Sequence, residues 1–336
     1  MITDKVLYSL DDVAIQPCTT SMINSRSECN VYDEDGMLPI FTAPMPSVID
    51  ETIYERYICN AINPIIPRTT DYSIRLKLCE TMFVGFSLKE FINNFLENKK
   101  VLDKTYYVLI DMANGHLRSL FKAASEAKSY YKQSLKLMVG NIASPETYRR
   151  FCDIGVDYCR CSVGSGSACT TATNIGVYYG MASLLDDCNE IKKWFIKKKL
   201  PYTKIIADGG ITNYRNMIKC LALGADYVML GSALNSLEDS AGKIVLDKDN
   251  NRYKLYYGMA SHQGQEDLGK DITTPEGKML HNPIRGTIKQ FSDDFILYLQ
   301  SAMSYTGKNQ IKEFIGNVTL NILSCNASKQ FNQYQN

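Results

Sequence analysis

The stretch Leu135-Lys136-Leu137-Met138-Val139-Gly140-Asn141-Ile142, followed by Pro145 to Ile154 and then by Tyr158-Cys159-Arg160-Cys161-Ser162-Val163-Gly164, reads as strand, helix and strand. The strands are mostly continuous apolar runs, as expected where both faces of a parallel sheet are covered. Ser144 is a suitable cap, and Pro145 sits in the first helical turn, where its missing N–H is no loss. The unit recurs along the chain. β-rich runs stand at 39–45, 62–68, 82–87, 106–113, 135–142, 158–164, 204–210 and 227–233, and amphipathic helices are predicted at 117–131, 145–154, 181–198 and 214–223. Strands alternating with helices in this number predict a (β/α)8 TIM barrel of parallel strands. A doubly wound open sheet is the rival architecture.

Polar and glycine-bearing residues gather at the C-terminal ends of the runs: Pro44-Met45, Asp111 to Gly115, Gly140-Asn141, Gly164 to Cys169, Asp208-Gly209-Gly210 and Gly231-Ser232. In a barrel all of these ends open on one face, where active sites are built. After the last run, 246–257 reads as a charged hairpin around Asp249-Asn250-Asn251, and 258–285 as an irregular, polar lid over that face. Residues 286–303 return as a closing helix. One catalytic domain thus spans 1–324, and 325–336, rich in Asn and Gln, is expected to be a frayed, disordered tail.

The 336 residues are 45% hydrophobic and 22% charged, enough for one large core or two small ones. A formal net charge of +1 gives no electrostatic reason to expect nucleic acid or a membrane surface as partner. The eleven cysteines have no regular spacing and no paired CxxC pattern, so reduced thiols in a cytoplasmic setting are expected rather than a disulfide framework or zinc site. No segment approaches the ~20 apolar residues needed to span a bilayer.

Val163-Gly164-Ser165-Gly166-Ser167-Ala168-Cys169-Thr170-Thr171 is a glycine-rich loop that ends by presenting a cysteine. Its glycines let backbone N–H groups approach a ligand, Ser167 adds a hydroxyl donor, and a thiol held beside a cation is partly thiolate at neutral pH. The same residues also read as a surface turn before a buried structural cysteine. Asp208-Gly209-Gly210 and Gly231-Ser232 follow apolar strands at what would be the seventh and eighth strand ends, the usual seat of a phosphate in a barrel. There Asp208 is a short carboxylate suited to ribose hydroxyls.

These motifs resemble the IMP dehydrogenase/GMP reductase family over nearly the whole chain. The resemblance rests on Leu10-Asp11-Asp12-Val13, Ser25-Arg26-Ser27-Glu28, Ala43-Pro44-Met45, Gly164 to Thr171, Asp208 to Ile211, Met229 to Ser232 and Tyr257-Gly258-Met259. It implies a (β/α)8 barrel, a purine nucleoside monophosphate, a nicotinamide cofactor and a covalent intermediate on Cys169. Thr171 and Glu276 would relay a proton. Ser167, Gly210, Gly231, Ser232 and Tyr256 would hold the phosphate, and Asp208 with Gly209 the ribose. Met45, Gly258, Met259 and Ala260 would border the base, and Asp111, Asn114, Gly115 and Arg68 the cofactor. The resemblance further implies a cytoplasmic homotetramer of purine salvage and a monovalent cation, K+, on the backbone of Gly164, Gly166 and Cys169. The regulatory domain that many dehydrogenases insert is absent.

Three features resemble the reductase branch. Asp111-Met112-Ala113-Asn114-Gly115 stands where dehydrogenases usually carry Ser-Gln-Gly, Glu276-Gly277-Lys278 has Glu where they commonly have Gln, and no Arg-Tyr pair lies between Gly258 and Pro283 to activate water. This implies NADPH-dependent reductive deamination of GMP to IMP and ammonia. An IMP dehydrogenase and a nucleotide-binding regulator without turnover are the alternatives. The chain departs from the reductase pattern at Pro67-Arg68 in place of His-Lys, Ala172 in place of Arg, Pro46 in place of Asp and His116 in place of an aromatic residue. Arg68 keeps the charge but cannot exchange a proton near neutral pH.

Overall fold

The computed structural model describes residues 3–99, 101–166, 168, 171–259, 261–269 and 277–333, with Thr171 described by its backbone. Strand β1 (Val13–Ile15) precedes the barrel strands β2 (Ile40–Thr42), β3 (Ile65–Ile66), β4 (Phe83–Phe86), β5 (Tyr106–Asp111), β6 (Leu135–Ile142), β7 (Tyr158–Cys161), β8 (Lys204–Asp208) and β9 (Tyr227–Leu230). These eight lie parallel in the order β2-β9-β8-β7-β6-β5-β4-β3. A parallel bridge between Phe41 and Asn63 joins the two ends. Thr42 N–H donates to Asn63 C=O and Asn63 N–H to Ile40 C=O, each at 3.0 Å. The sheet therefore closes as a (β/α)8 barrel, and the open-sheet alternative is excluded.

Helices Arg118–Tyr131, Pro145–Ile154, Met181–Lys197 and Tyr214–Ala222 match the predicted segments to within a residue. The closing helix runs over Ile288–Tyr305. The predicted hairpin is β10 (Ile244–Leu246) against β11 (Arg252–Tyr257), and β12 (Met279–Pro283), from within the lid segment, adds a third antiparallel strand. The segment expected to fray carries helix Cys325–Gln333, just after β13 (Leu320–Ile322), which pairs with β1. Phe331 of that helix lies under Arg215 and Lys219, with their charged groups 4.6 and 4.8 Å from the ring centroid. One aromatic anchor holds a polar segment.

Alternation along the strands decides what points where. Phe41, Ile65, Phe83, Leu109, Met138, Ile206, Tyr227 and Met229 form an inner cluster with Tyr158, and the rings of Phe41, Phe83 and Tyr158 meet edge to face at 5.2–5.9 Å. Their neighbours Ile110, Val139, Cys159, Ile205 and Val228 belong to the outer core, which the helices cover. Both faces are buried, which is why the runs read as continuously apolar. Two residues beyond the inner layer, the same faces bring Asp111, Arg160, Asp208, Gly231 and Met45 to the C-terminal mouth.

Candidate active site

The centre of the mouth is an ion-pair network. Arg160 Nη1 donates to Asp111 Oδ1 at 2.6 Å, while its Nε and Nη2 donate to Asp208 Oδ2 at 3.1 and 2.9 Å. Arg68 Nε donates to Asp111 Oδ2 at 3.1 Å, and Asn141 Nδ2 to Asp208 Oδ2 at 2.7 Å. Arg160 is 8% exposed. A guanidinium so desolvated is tolerable only with its carboxylates in place. Burial would raise the pKa of Asp111, but the charges of Arg160 and Arg68 outweigh it and hold the carboxyl below its usual range. Burial likewise opposes the charge on Arg160, and Asp208 and Asp111 outweigh it, raising the guanidinium's pKa.

The two carboxylates differ in what they leave over. Asp111 uses both oxygens on arginines. Asp208 takes three donors on Oδ2, and among the described residues none on Oδ1. Asp208 lines the cleft.

The cleft above the network measures about 700 Å³, in the range of small-molecule sites. Tight turns form one end. Gly209 and Gly210 have φ of +98° and +73°, and a Cβ on Gly210 would lie 2.5 Å from Ser165 C=O. The turn after β8 is thereby pressed against the loop after β7, whose Gly164 and Gly166 also line the cleft. A Cβ on Gly231 would strike the hydroxyl of Tyr256. Tyr256 is buried, and burial first, then the charge of Asp208, keeps its phenol protonated by raising its pKa. Ser232 Oγ accepts from Asn282 Nδ2 at 3.1 Å, tying the end of β9 to β12. Met45, Gly258 and Met259 line the wall between these turns.

The opposite end is lined by Arg68, Ser87, Leu88, Asp111, Met112 and Ala113. Gly85 makes room for the Arg68 stem, since a Cβ there would lie 3.1 Å from Arg68 Cγ. Asn114 and Gly115 do not line the cleft. Asn114 is exposed and accepts the His116 N–H at 3.0 Å, and a Cβ on the buried Gly115 would lie 2.7 Å from Asn141 C=O. His116 Nε2 accepts the Ala143 N–H at 3.1 Å, so Nδ1 carries the proton given to Thr147 Oγ1 at 3.0 Å. Burial lowers its pKa, in keeping with this neutral tautomer. The residue that replaces the expected aromatic is a staple between the loops after β5 and β6.

Ser167, Cys169, Ala260, Glu276 and the Thr171 side chain lie outside the described residues. Their neighbours meet. Lys278 N–H donates to Ala168 C=O at 3.0 Å, and a Cβ on Gly277 would lie 3.2 Å from the same oxygen.

Arg160, Asn141 and the buried lid residue Gln265 are among the cleft residues that escaped the sequence reading. Arg160 had a signal, because a charge between Cys159 and Cys161 in a doubly buried strand demands partners. Asn141 stood at a recognised strand end. Gln265 had none in its irregular, polar segment.

Comparison with known proteins follows this geometry. A family model described as "IMP dehydrogenase / GMP reductase domain" matches residues 84–331. The chain belongs to the IMP dehydrogenase/GMP reductase family. Its similar relatives include a GMP reductase of Streptococcus equi subsp. zooepidemicus, 29% identical over an aligned length of 328 that covers 93% of this chain and 94% of that protein. A GMP reductase of Bacillus subtilis is 28% identical over 322 residues, 91% and 93% of the two chains. This member of the family is thus a divergent one, matched along nearly its full length. Among the described residues no helix is long and apolar enough to cross a membrane, and no three His, Cys, Asp or Glu side chains are grouped to hold a metal. Of the three backbone groups expected to bind K+, those of Gly164 and Gly166 are described, and that of Cys169 lies outside the described residues.

Proposed function

We propose that this chain is a GMP reductase: the cleft binds a purine nucleoside monophosphate, and GMP is reductively deaminated to IMP and ammonia at the expense of NADPH. The observation that carries the reading is Asp208 Oδ1, a carboxylate oxygen without a partner among the described residues, on the cleft wall beside two glycine turns. A carboxylate fixed by Arg160 and Asn141 through one oxygen offers the other to the ribose hydroxyls. Gly210, Gly231 and Ser232 supply backbone N–H groups for the phosphate, with Ser167 and the Tyr256 hydroxyl beside them. Met45, Gly258, Met259 and Ala260 border the base.

The thiolate of Cys169 attacks C2 of the purine, and the exocyclic amine leaves as ammonia after Glu276 and Thr171 deliver a proton. The bond formed is C2–S and the bond broken is C2–N. NADPH, when bound, supplies the hydride that C2 accepts, and the C2–S bond then breaks to release IMP and the thiolate. The residues at the Asp111 end fit a nicotinamide: Leu88, Met112 and Ala113 offer apolar surface for a flat ring. Arg68 binds Asp111 through Nε, and among the described residues its Nη groups have no partner, which suits a carboxamide oxygen. Asp111 holds Arg68 and Arg160 in place. The bond between Lys278 and Ala168 supports the pairing of acid and nucleophile, since it joins the segment that follows Glu276 to the one that precedes Cys169.

Replacing Asp208 by Ala is expected to weaken GMP binding by about 2–3 kcal/mol, the loss of a charged acceptor of two hydrogen bonds. Binding of free guanine should scarcely change, and calorimetry on both ligands separates the cases. Equal losses would mean that Asp208 acts by holding Arg160 alone. Glu276→Gln is expected to lower kcat by ~10²-fold or more with little change in the Kd of GMP, the scale of a positioned acid. Single-turnover ammonia release tests it, and unchanged release would remove Glu276 from the relay.

A further inference from the structure

Asn141, which donates to Asp208 Oδ2, sits at an irregular point of the barrel. β6 pairs with β7 through Gly140 and Arg160 and next through Ile142 and Cys161, so the register skips Asn141. It is the extra residue of a bulge, a device that re-aims one side chain. Met138 belongs to the inner cluster and Val139 to the outer core, so simple alternation would send Asn141 outward with Val139. The bulge turns it inward, onto Asp208.

The backbone of Asn141 bonds to the loop after β5. Its N–H donates to Met112 C=O at 2.6 Å, and its C=O accepts the Gly115 N–H at 2.7 Å. The direction of the Asn141 amide therefore depends on where residues 112–115 stand. Ala113 and Asn114 are exposed, and the Asn114 side chain bonds back within the loop, to the His116 N–H. The next residue makes the connection outward. His116 Nε2 accepts the Ala143 N–H at 3.1 Å, and Nδ1 donates to the hydroxyl of Thr147, a buried residue in the first turn of helix Pro145–Ile154. Gly115 and His116 thus clasp the turn after β6 on both sides of Ile142.

We infer that His116 is a positioning residue for nucleotide binding: by clasping the loop after β5 to the turn after β6, it holds the Asn141 amide on Asp208 Oδ2 and so keeps Oδ1 turned to the ribose. The inference rests on the reading of Asp208 as the ribose acceptor. Its test is calorimetry of the full chain with GMP and with free guanine. His116→Phe keeps a ring and removes both bonds. In His116→Gln the amide oxygen stands near the place of Nε2 and still accepts the Ala143 N–H, whereas in His116→Asn it reaches only the place of Nδ1. The position is exposed, so all three variants fold.

His116→Phe and His116→Asn are expected to weaken GMP about fivefold, within the range of one net hydrogen bond, and to leave guanine unchanged, while His116→Gln stays within about twofold of the wild type. Asn141→Ala should weaken GMP about tenfold or more, since a donor to a charged acceptor is lost, and adding His116→Phe to it should cost nothing further, because the two residues act in series. Exchange of the Gly115 amide reads the clasp without a ligand: it should quicken in His116→Phe and keep its wild-type rate in His116→Gln. Equal GMP affinity in wild type and His116→Phe, additive losses in the double variant, an equal loss for guanine, or unchanged Gly115 exchange in His116→Phe overturns the inference and leaves the reading of Asp208 standing. Should Asp208→Ala bind GMP as the wild type does, the ribose reading fails and the inference falls with it.

Discussion

Cys169→Ala is expected to lower turnover by ~10⁴-fold or more, the scale on which removal of a covalent nucleophile acts, and to leave GMP affinity nearly unchanged. The split follows from where binding energy comes from. In the proposed reading phosphate and ribose are held by the turns at Gly210 and Gly231 and by Asp208, away from C2 of the base. The thiol matters once the C2–S bond begins to form. Quench-flow on the wild type should show one equivalent of ammonia per subunit before hydride transfer, and the variant none. Normal turnover in Cys169→Ala would remove the covalent route. The remaining ten cysteines should each tolerate Ser or Ala wherever volume permits.

Arg160→Met is expected to destabilise the fold by about 3–5 kcal/mol at neutral pH, the cost of breaking a buried ion pair from one side. Two buried carboxylates would face each other across the mouth, one keeping Arg68 and the other Asn141. The pH dependence gives the sign. In the wild type the folded pKa of Asp111 lies below its ordinary 3.8. Its stabilising contribution is therefore present above 3.8 and is lost as the pH falls through the lower folded value. In the variant the larger lowering charge is gone and Arg68 alone opposes burial, so the Asp111 carboxyl takes up its proton at higher pH than in the wild type. The gap in urea midpoint between wild type and variant should thus narrow as the pH falls from neutral toward the carboxylate range. A gap independent of pH would mean that the arginine contributes packing alone.

The barrel was legible because its strands are buried on both faces, so that burial writes each as an apolar run: 135–142 was read to the residue. Run 62–68 shows the limit. The strand there is only Ile65–Ile66, with Asn63 in an isolated bridge to Phe41, because Pro64 and Pro67 bracket it without N–H groups to donate. The glycine turns were legible because close approach of two loops restricts residue type, and Asp208 because it ends an apolar strand just before such a turn. Arg160 was not read, since its role depends on Asp111 and Asp208, distant in sequence and brought together only when β5, β7 and β8 lie side by side. The docking of the tail was hidden for a similar reason. The composition of 325–336 predicts fraying, and the docking of Phe331 on Arg215 and Lys219 depends on a helix a hundred residues earlier. Likewise His116 reads as a departure from a pattern until Ala143 and Thr147 are seen to bond it from both sides.

The direction of the reaction tests the account most directly. Hydrolysis of a C2 thioimidate needs a positioned base for water, and the Arg-Tyr pair that would supply one is absent from 258–283. Release of ammonia needs a proton donor, the role the proposed function gives to Glu276 and Thr171. The measurement is product analysis of the purified protein incubated with GMP and NADPH and, in parallel, with IMP and NAD. The account predicts IMP, ammonia and loss of NADPH absorbance in the first mixture and no XMP in the second. XMP from IMP and NAD, with no ammonia from GMP, would contradict it and make the protein a dehydrogenase.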